Sequence, residues 1–171
     1  MQNTTRIQRL WKHFKTADTE LKQQFPQALL KQIEQHIGAS ESQHLGQVRL
    51  VLENTMPLQA VWHKVTARER AWYHFSHLKV WDTEYNTGVL LYIGWVDHAI
   101  EIVADRGISQ KVPPQTWEAI CQRLSEAFKT KRFDSGLQQA LEEITEVLRE
   151  HVPKNATHKH DNELSDEVIL R

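Results

Sequence analysis

Hydrophobic positions along the chain follow two periods, and the places where one gives way to the other outline its elements. Ile7, Leu10, Trp11 and Phe14 are spaced i, i+3, i+4, i+7, and Leu21 continues the helical stretch over residues 4–24. Arg6, Arg9, Lys12 and Lys15 lie mostly off that stripe. Two readings stand for this segment: a helix packed on its own domain, or a basic amphipathic helix that touches a membrane surface or a partner. Pro26 suits the first turn of a second helix, whose apolar face is Leu29, Leu30, Ile33 and Ile37, with Gly38 as its stop. The period then changes. Val48, Leu50 and Leu52 alternate with Arg49, Val51 and Glu53, the pattern of a strand with two different faces. Helical spacing returns through Ala67, Ala71, Phe75 and Leu78. Val89 to Ile93, an unbroken apolar run between Gly88 and Gly94, predicts a central strand buried on both faces. A short turn at Val96-Asp97-His98 leads into a third strand, Ala99 to Ala104, as a hairpin.

Beyond Pro113-Pro114 two more helices are predicted. Trp117, Ile120, Cys121, Leu124 and Phe128 mark one; Leu137, Leu141, Ile144, Val147 and Leu148 mark the other, with Asp134 or Ser135 as its N-cap. After Pro153 the composition cannot bury much, which predicts a disordered tail. The order α-α-β-α-β-β-α-α contains one βαβ crossover and one hairpin. It predicts an α/β fold: a three-layer sandwich in which a small mixed sheet is flanked by helices on both faces. The expected division is an N-terminal amphipathic helix over 1–25, one α/β domain over 26–153, and a tail over 154–171.

Composition narrows the function classes. A length of 171 residues suits one domain, and a formal net charge of -1 supplies no general attraction for nucleic acid or an anionic membrane. A single cysteine, Cys121, excludes an internal disulfide framework and fits a reducing compartment; its place on an apolar helix stripe marks it as packed. The longest apolar run, Gly88 to Val96, is far short of the ~20 residues a spanning helix needs. The N-terminus lacks the apolar core of a signal peptide. A cytoplasmic location is expected, peripheral to the inner membrane if the N-terminal helix is used.

The topology also makes a statement about where polar groups converge. Antiparallel second and third strands put Asp105 beside Asp82, Thr83, Glu84 and Asn86; parallel first and second strands add Glu41, His44 and Gln47 to the same rim. Such a rim of carboxylate and amide oxygens suits a hard cation, and Arg106 beside it suits a phosphate. The plainer alternative makes Asp82 and Asn86 turn residues, with Gly107 supplying a positive φ. His74 and His77 are three apart on a helix, but no third metal ligand is evident. Trp62, Trp72, Trp81, Trp95 and Trp117 are expected as core and hinge aromatics. There is no phosphate loop, nucleophile elbow, zinc-binding cysteine pattern or dinucleotide fingerprint.

Four segments in order carry a resemblance to a known family. "SESQHLGQVRLVLE", "VWDTEYNTGVLLYIGWVDHAIEIVADRGI", "TWEAI" and "KTKRFDSGLQQALEEI" resemble the TPM domain family of thylakoid-lumen-protein-like, phosphatase-like domains, in its short bacterial form. The resemblance covers roughly residues 26–153. It implies an α/β sandwich, divalent-metal binding with calcium in particular, and a weak acid phosphatase activity of the kind reported in plant relatives. Asp82, Thr83, Asp105 and Gly107 fall in matching motifs. Two positions depart: Gly46-Gln47-Val48 stands where the family has Gly-Glu-Ile, and Thr87-Gly88 where it has Asn-Gly.

Two functions are therefore expected from different classes. One is a binding or assembly module, chaperone-like, holding calcium or magnesium through Asp82, Asn86 and Asp105 and requiring no nucleotide cofactor. Its partner would be a membrane protein or membrane surface met through the N-terminal helix, with no role for nucleic acid. The other is a weak metal-dependent phosphatase-like hydrolase using Asp105, Asp82 and Arg106 at the same rim. The sequence carries no statement of oligomeric state.

Overall fold

A computed structural model describes residues 8, 9, 11, 19–154 and 164–171. In chain order its elements are α1 (Thr19–Gln24), α2 (Gln27–Ser40), β1 (Gln47–Glu53), α3 (Leu58–Trp62), α4 (Ala67–His77), β2 (Gly88–Gly94), β3 (Ala99–Ala104), α5 (Arg106–Ser109), α6 (Pro114–Lys129), α7 (Phe133–His151) and β4 (Ile169–Leu170). The sheet order is β3-β2-β1-β4. β1 and β2 are parallel across the α3–α4 crossover, with Gln47 opposite Gly88 and Glu53 opposite Gly94. β2 and β3 are antiparallel, with Val89 opposite Ala104. The α/β sandwich expected from the hydrophobic pattern is the observed one.

Alternation along β1 divides its side chains between two cores. Val48, Leu50 and Leu52 join Leu21, Phe25, Ile33 and Ile37 and the inner faces of α6 and α7 in the larger core. Val51 joins Leu90, Tyr92 and Val103 beneath Ala71, Phe75 and Val80 in the smaller one. Both faces of the strand are covered, so every residue of β1 is buried, Arg49 and Glu53 included. Leu21 and Phe25 bring the end of the expected N-terminal helix into the main core. The rest of that helix lies largely outside the described residues; where Arg9 is described, it pairs with Asp97 at 2.8 Å.

Local chemistry accounts for most of the element boundaries. α4 opens with a capping box, the Thr66 side chain accepting from Glu69 N–H while the Glu69 carboxylate accepts from Thr66 N–H. The hairpin turn between β2 and β3 uses His98 at φ 50°. Three boundaries depart from expectation. α2 runs through Gly38 to Ser40, and α7 begins at Phe133, ahead of the expected caps Asp134 and Ser135. The third is larger. The end of the expected disordered tail is ordered: β4 pairs in parallel with β1, Ile169 opposite Val51 and Leu170 opposite Leu52. A segment too polar to build a core of its own gains order here by completing two existing ones, through Val168 and Leu170 on one side and Leu164 and Ile169 on the other. His158 and His160 lie outside the described residues.

Candidate functional site

The strand register brings the expected rim together at the level of the backbone. Gly88 begins β2 opposite Gln47, whose N–H donates to Thr87 O just ahead of the strand, and Asp105 N–H donates to Gly88 O at 2.9 Å. The side chains, however, separate into two groups.

The first is a corner made by the loop before β2 and the end of β3. Asn86 takes a left-handed φ of 53°, which an asparagine tolerates, and this turns its side chain toward Arg106. Arg106 donates to Asn86 Oδ1 through Nε at 3.1 Å and Nη2 at 2.9 Å. Asp105 caps α5, its Oδ1 accepting from Arg106 N–H at 2.7 Å, while its Oδ2 is buried without a hydrogen-bond partner. Gly107 N–H donates to Asn86 O at 2.8 Å. No glycine in the described chain has a positive φ, so Gly107 does not serve as a left-handed turn residue. It is needed for close approach: a Cβ there would lie 2.3 Å from Tyr85 O and 2.6 Å from Asn86 O. Thr83 supports the loop from within, its Oγ1 accepting from Thr87 N–H at 3.1 Å. Asp82 and Glu84 are exposed.

The second group lies at the edge of β1 that faces β4. Glu41, just past α2, accepts from Val48 N–H at 3.0 Å, and burial with only partial hydrogen bonding pushes its carboxyl up to about 7. Gln47 Oε1 accepts from Leu164 N–H at 2.9 Å, so this amide holds the C-terminal segment. His44 Nδ1 lies 3.0 Å from Gly46 O within the connection to β1.

Calcium takes six to eight oxygen ligands, typically with two or more carboxylates. At the corner Asn86 Oδ1 already accepts from a guanidinium and Asp105 Oδ1 from a backbone amide, which leaves Asp105 Oδ2 as the unengaged carboxylate oxygen. Arg106 adds positive charge next to it. Among the described residues no group of three His, Cys, Asp or Glu side chains is placed to hold a metal ion. The residues in this arrangement do not make a calcium shell.

The most tightly organised polar cluster was not anticipated. At the opposite end of β1, Glu53 Oε2 accepts from Tyr92 Oη at 2.8 Å and from Arg70 Nε at 2.9 Å, and Oε1 lies 3.4 Å from His74 Nε2. Burial alone would raise the Glu53 carboxyl, but its hydrogen bonds from Arg70, His74 and Tyr92 outweigh it and bring the group down to about 2. Burial and the Glu53 charge push the Tyr92 hydroxyl far up. His74 is fully buried and stacked on Tyr92, whereas His77 is exposed and stacked on Tyr73; the Tyr73 ring also meets His74 edge-on, so it stands between the two histidines. A lone acid on a strand and an Arg-x-x-x-His on a helix were the only sequence signals, and neither names its partner.

The aromatic expectation holds in part. Trp95 and Trp117 are buried, but Trp62, Trp72 and Trp81 are 53%, 45% and 50% exposed, and Tyr73 is 47% exposed. On α4, Trp72 and Tyr73 line a shallow groove with Glu69, Ser76 and His77. Arg68 lies over the Trp72 ring at 5.8 Å and Arg70 over Tyr73 at 4.5 Å, contacts that steady both rings at the surface.

Comparison with known proteins agrees with this architecture. No curated protein matches the chain significantly. Among solved structures, the NMR structure of BA42 protein from the psychrophilic bacterium Bizionia argentinensis is similar, at 25% identity and a TM-score of 0.72, over 84% of this chain and 93% of that one. The TPM domain matches residues 20–147. The chain belongs to the TPM domain family.

Proposed function

We propose that this protein is a binding or assembly module, and that the aromatic face of α4 is its working surface. Soluble domains seldom expose several large aromatics together unless a partner covers them, and tyrosine and tryptophan lose little conformational entropy on binding. The observation that carries the reading is the exposed pair Trp72 and Tyr73 around one groove on α4. Among the described residues no helix is long and apolar enough to cross a membrane, so contact with a membrane protein would be made from outside the bilayer core. A benzoylphenylalanine at position 73, photolysed in the native host, tests it. The expected result is a discrete crosslinked species that disappears with Trp72→Ser and is absent when the probe stands at Gln122 on α6. Equal labelling from both positions would remove the proposal's basis.

A second reading, a divalent cation at the corner, is supported by Asp105 Oδ2, a buried carboxylate oxygen with no partner. A cation there would draw most of its ligands from water, and Arg106 would have to swing off Asn86. Calorimetric titration of calcium and of magnesium into wild type and Asp105→Asn tests it; heats that do not differ between the two proteins would end it. Weak phosphatase-like hydrolysis depends on the same cation.

A further inference from the structure

The free edge of β1 is closed by the chain's own C-terminal segment, and the closure is incomplete in a way that has chemical content. Arg49 is 7% exposed, yet its Nε and Nη1 are buried without hydrogen-bond partners. Burial lowers its pKa against the opposing pull of Glu167, Asp166 and Glu41, which act on it by charge. A guanidinium in that position is built to meet a carboxylate fork. The tail brings two acids close without supplying that fork.

The rest of the tail shows what the edge accepts. Arg171 N–H donates to Leu52 O at 2.9 Å, so the backbone of the segment continues the sheet. Val168 N–H donates to Glu34 Oε1 on α2 at 2.9 Å, and Leu164 N–H to Gln47 Oε1. Val168 is buried in the larger core and Ile169 packs on the smaller one, one side chain for each face of the sheet. The ladder itself spans only two residue pairs, Val51 with Ile169 and Leu52 with Leu170. Backbone bonding to β1 ends at Arg171, whose O accepts from Asn54 N–H, and a strand this short belongs to the part of a fold that opens at lower cost than its central strands.

We infer that the β1 edge, between α2 and α4, is a docking groove for an extended peptide in which an acidic pair precedes an aliphatic run, and that residues 164–171 occupy it as a tethered stand-in. Main-chain bonds to an open edge supply affinity, and alternate side chains entering the two cores supply specificity. The acidic pair is selected by Arg49. A partner whose carboxylate reached both free nitrogens of Arg49 would displace the tail, although the tether gives the tail an effective concentration of order mM. This groove is separate from the aromatic face of α4, so either can fail without the other.

The probe is a fluorescein-labelled peptide, Leu-Ser-Asp-Glu-Val-Ile-Leu-Arg, titrated by anisotropy into the full-length protein. Wild type should bind it weakly, because its own tail competes. Full-length Ile169→Pro, whose tail cannot keep the ladder, should bind at least tenfold more tightly. That gain should fall at least tenfold when Arg49 is replaced by Gln or when the peptide carries Asn and Gln in place of its acids. A folded Ile169→Pro protein that ignores the peptide, or binds a scrambled one equally well, overturns the inference. Hydrogen exchange of the wild-type protein gives an arm that needs no variant. The amides of 168–171 should exchange at least a hundredfold faster than those of β2. Protection equal to that of β2 would make the segment a fixed strand and overturn the inference as well.

Discussion

Tyr92 Oη donates to Glu53 Oε2 at 2.8 Å across two parallel strands, so one buried acid is fixed by a neighbour whose own ionisation burial and the Glu53 charge oppose. Glu53 also takes Arg70 and His74, which makes it the shared acceptor of three donors from two elements. Removing the acceptor and removing one donor should therefore differ. Glu53→Gln leaves the Arg70 charge without its counter-ion and should cost about 3–5 kcal/mol. Tyr92→Phe leaves that ion pair in place and should cost about 1.5–3 kcal/mol, the range for a hydrogen bond to a charged group. Urea unfolding of both variants checks the order; a larger loss for Tyr92→Phe would mean that the ring's packing dominates.

The same cluster sets the acid limit of the fold. Glu53 has a folded pKa of about 2, below its ordinary value of 4.5. A depressed carboxylate contributes stability that is complete above 4.5 and is lost as pH falls toward 2, because only the unfolded chain binds the proton in that interval. The urea midpoint of wild type should fall steeply across that window. In Glu53→Gln, which is less stable throughout, the slope there should be smaller by about one proton.

Glu41 works in the opposite sense at the other end of β1. Its folded pKa of about 7 lies above the ordinary 4.5, so the native state holds a proton that the unfolded chain has released. Stability from this group is complete below 4.5 and declines as pH rises toward 7, by about 3 kcal/mol in all. Glu41→Gln keeps a carbonyl oxygen for Val48 N–H and has no proton to lose. It should be more stable than wild type at pH 8 and close to it at pH 4, as chemical denaturation at the two pH values would show.

How far the sequence reached depends on how local each interaction is. Val89 to Ile93 announced a strand buried on both faces, and the lengths of its connections fixed β1 as parallel to it and β3 as antiparallel. The convergence of Asn86, Asp105 and Arg106 followed from that topology alone. The direction of each side chain did not. Glu41 and Gln47 reach the same rim but serve the β1 edge, Glu41 because the end of α2 aims it at Val48 N–H and Gln47 because its amide oxygen is taken by Leu164 N–H. Glu53, Arg70, His74 and Tyr92 meet only because a crossover brings together residues 17 to 39 positions apart. β4 was illegible for another reason: its order comes from an edge that already exists, and a run of Val168, Ile169 and Leu170 in a polar tail contains no sign of that edge.

Gly107 separates a corner that is structurally required from one that is merely polar. Its N–H bonds to Asn86 O, and the backbone of Tyr85 and Asn86 passes so close that a methyl group would overlap two carbonyl oxygens. Gly107→Ala cannot relieve the overlap by rotating a side chain, since both obstacles are main chain. Separating α5 from the loop should cost about 1–3 kcal/mol, as other overpacking does. Asp105→Ala removes the cap on Arg106 N–H and should cost about 1 kcal/mol. Arg106→Gln removes exposed bonds to Asn86 and should stay within about 0.5 kcal/mol of wild type. Denaturation of the three variants should give that descending order. If Arg106→Gln proved the most damaging, the guanidinium and not the close approach at Gly107 would be what holds the corner together.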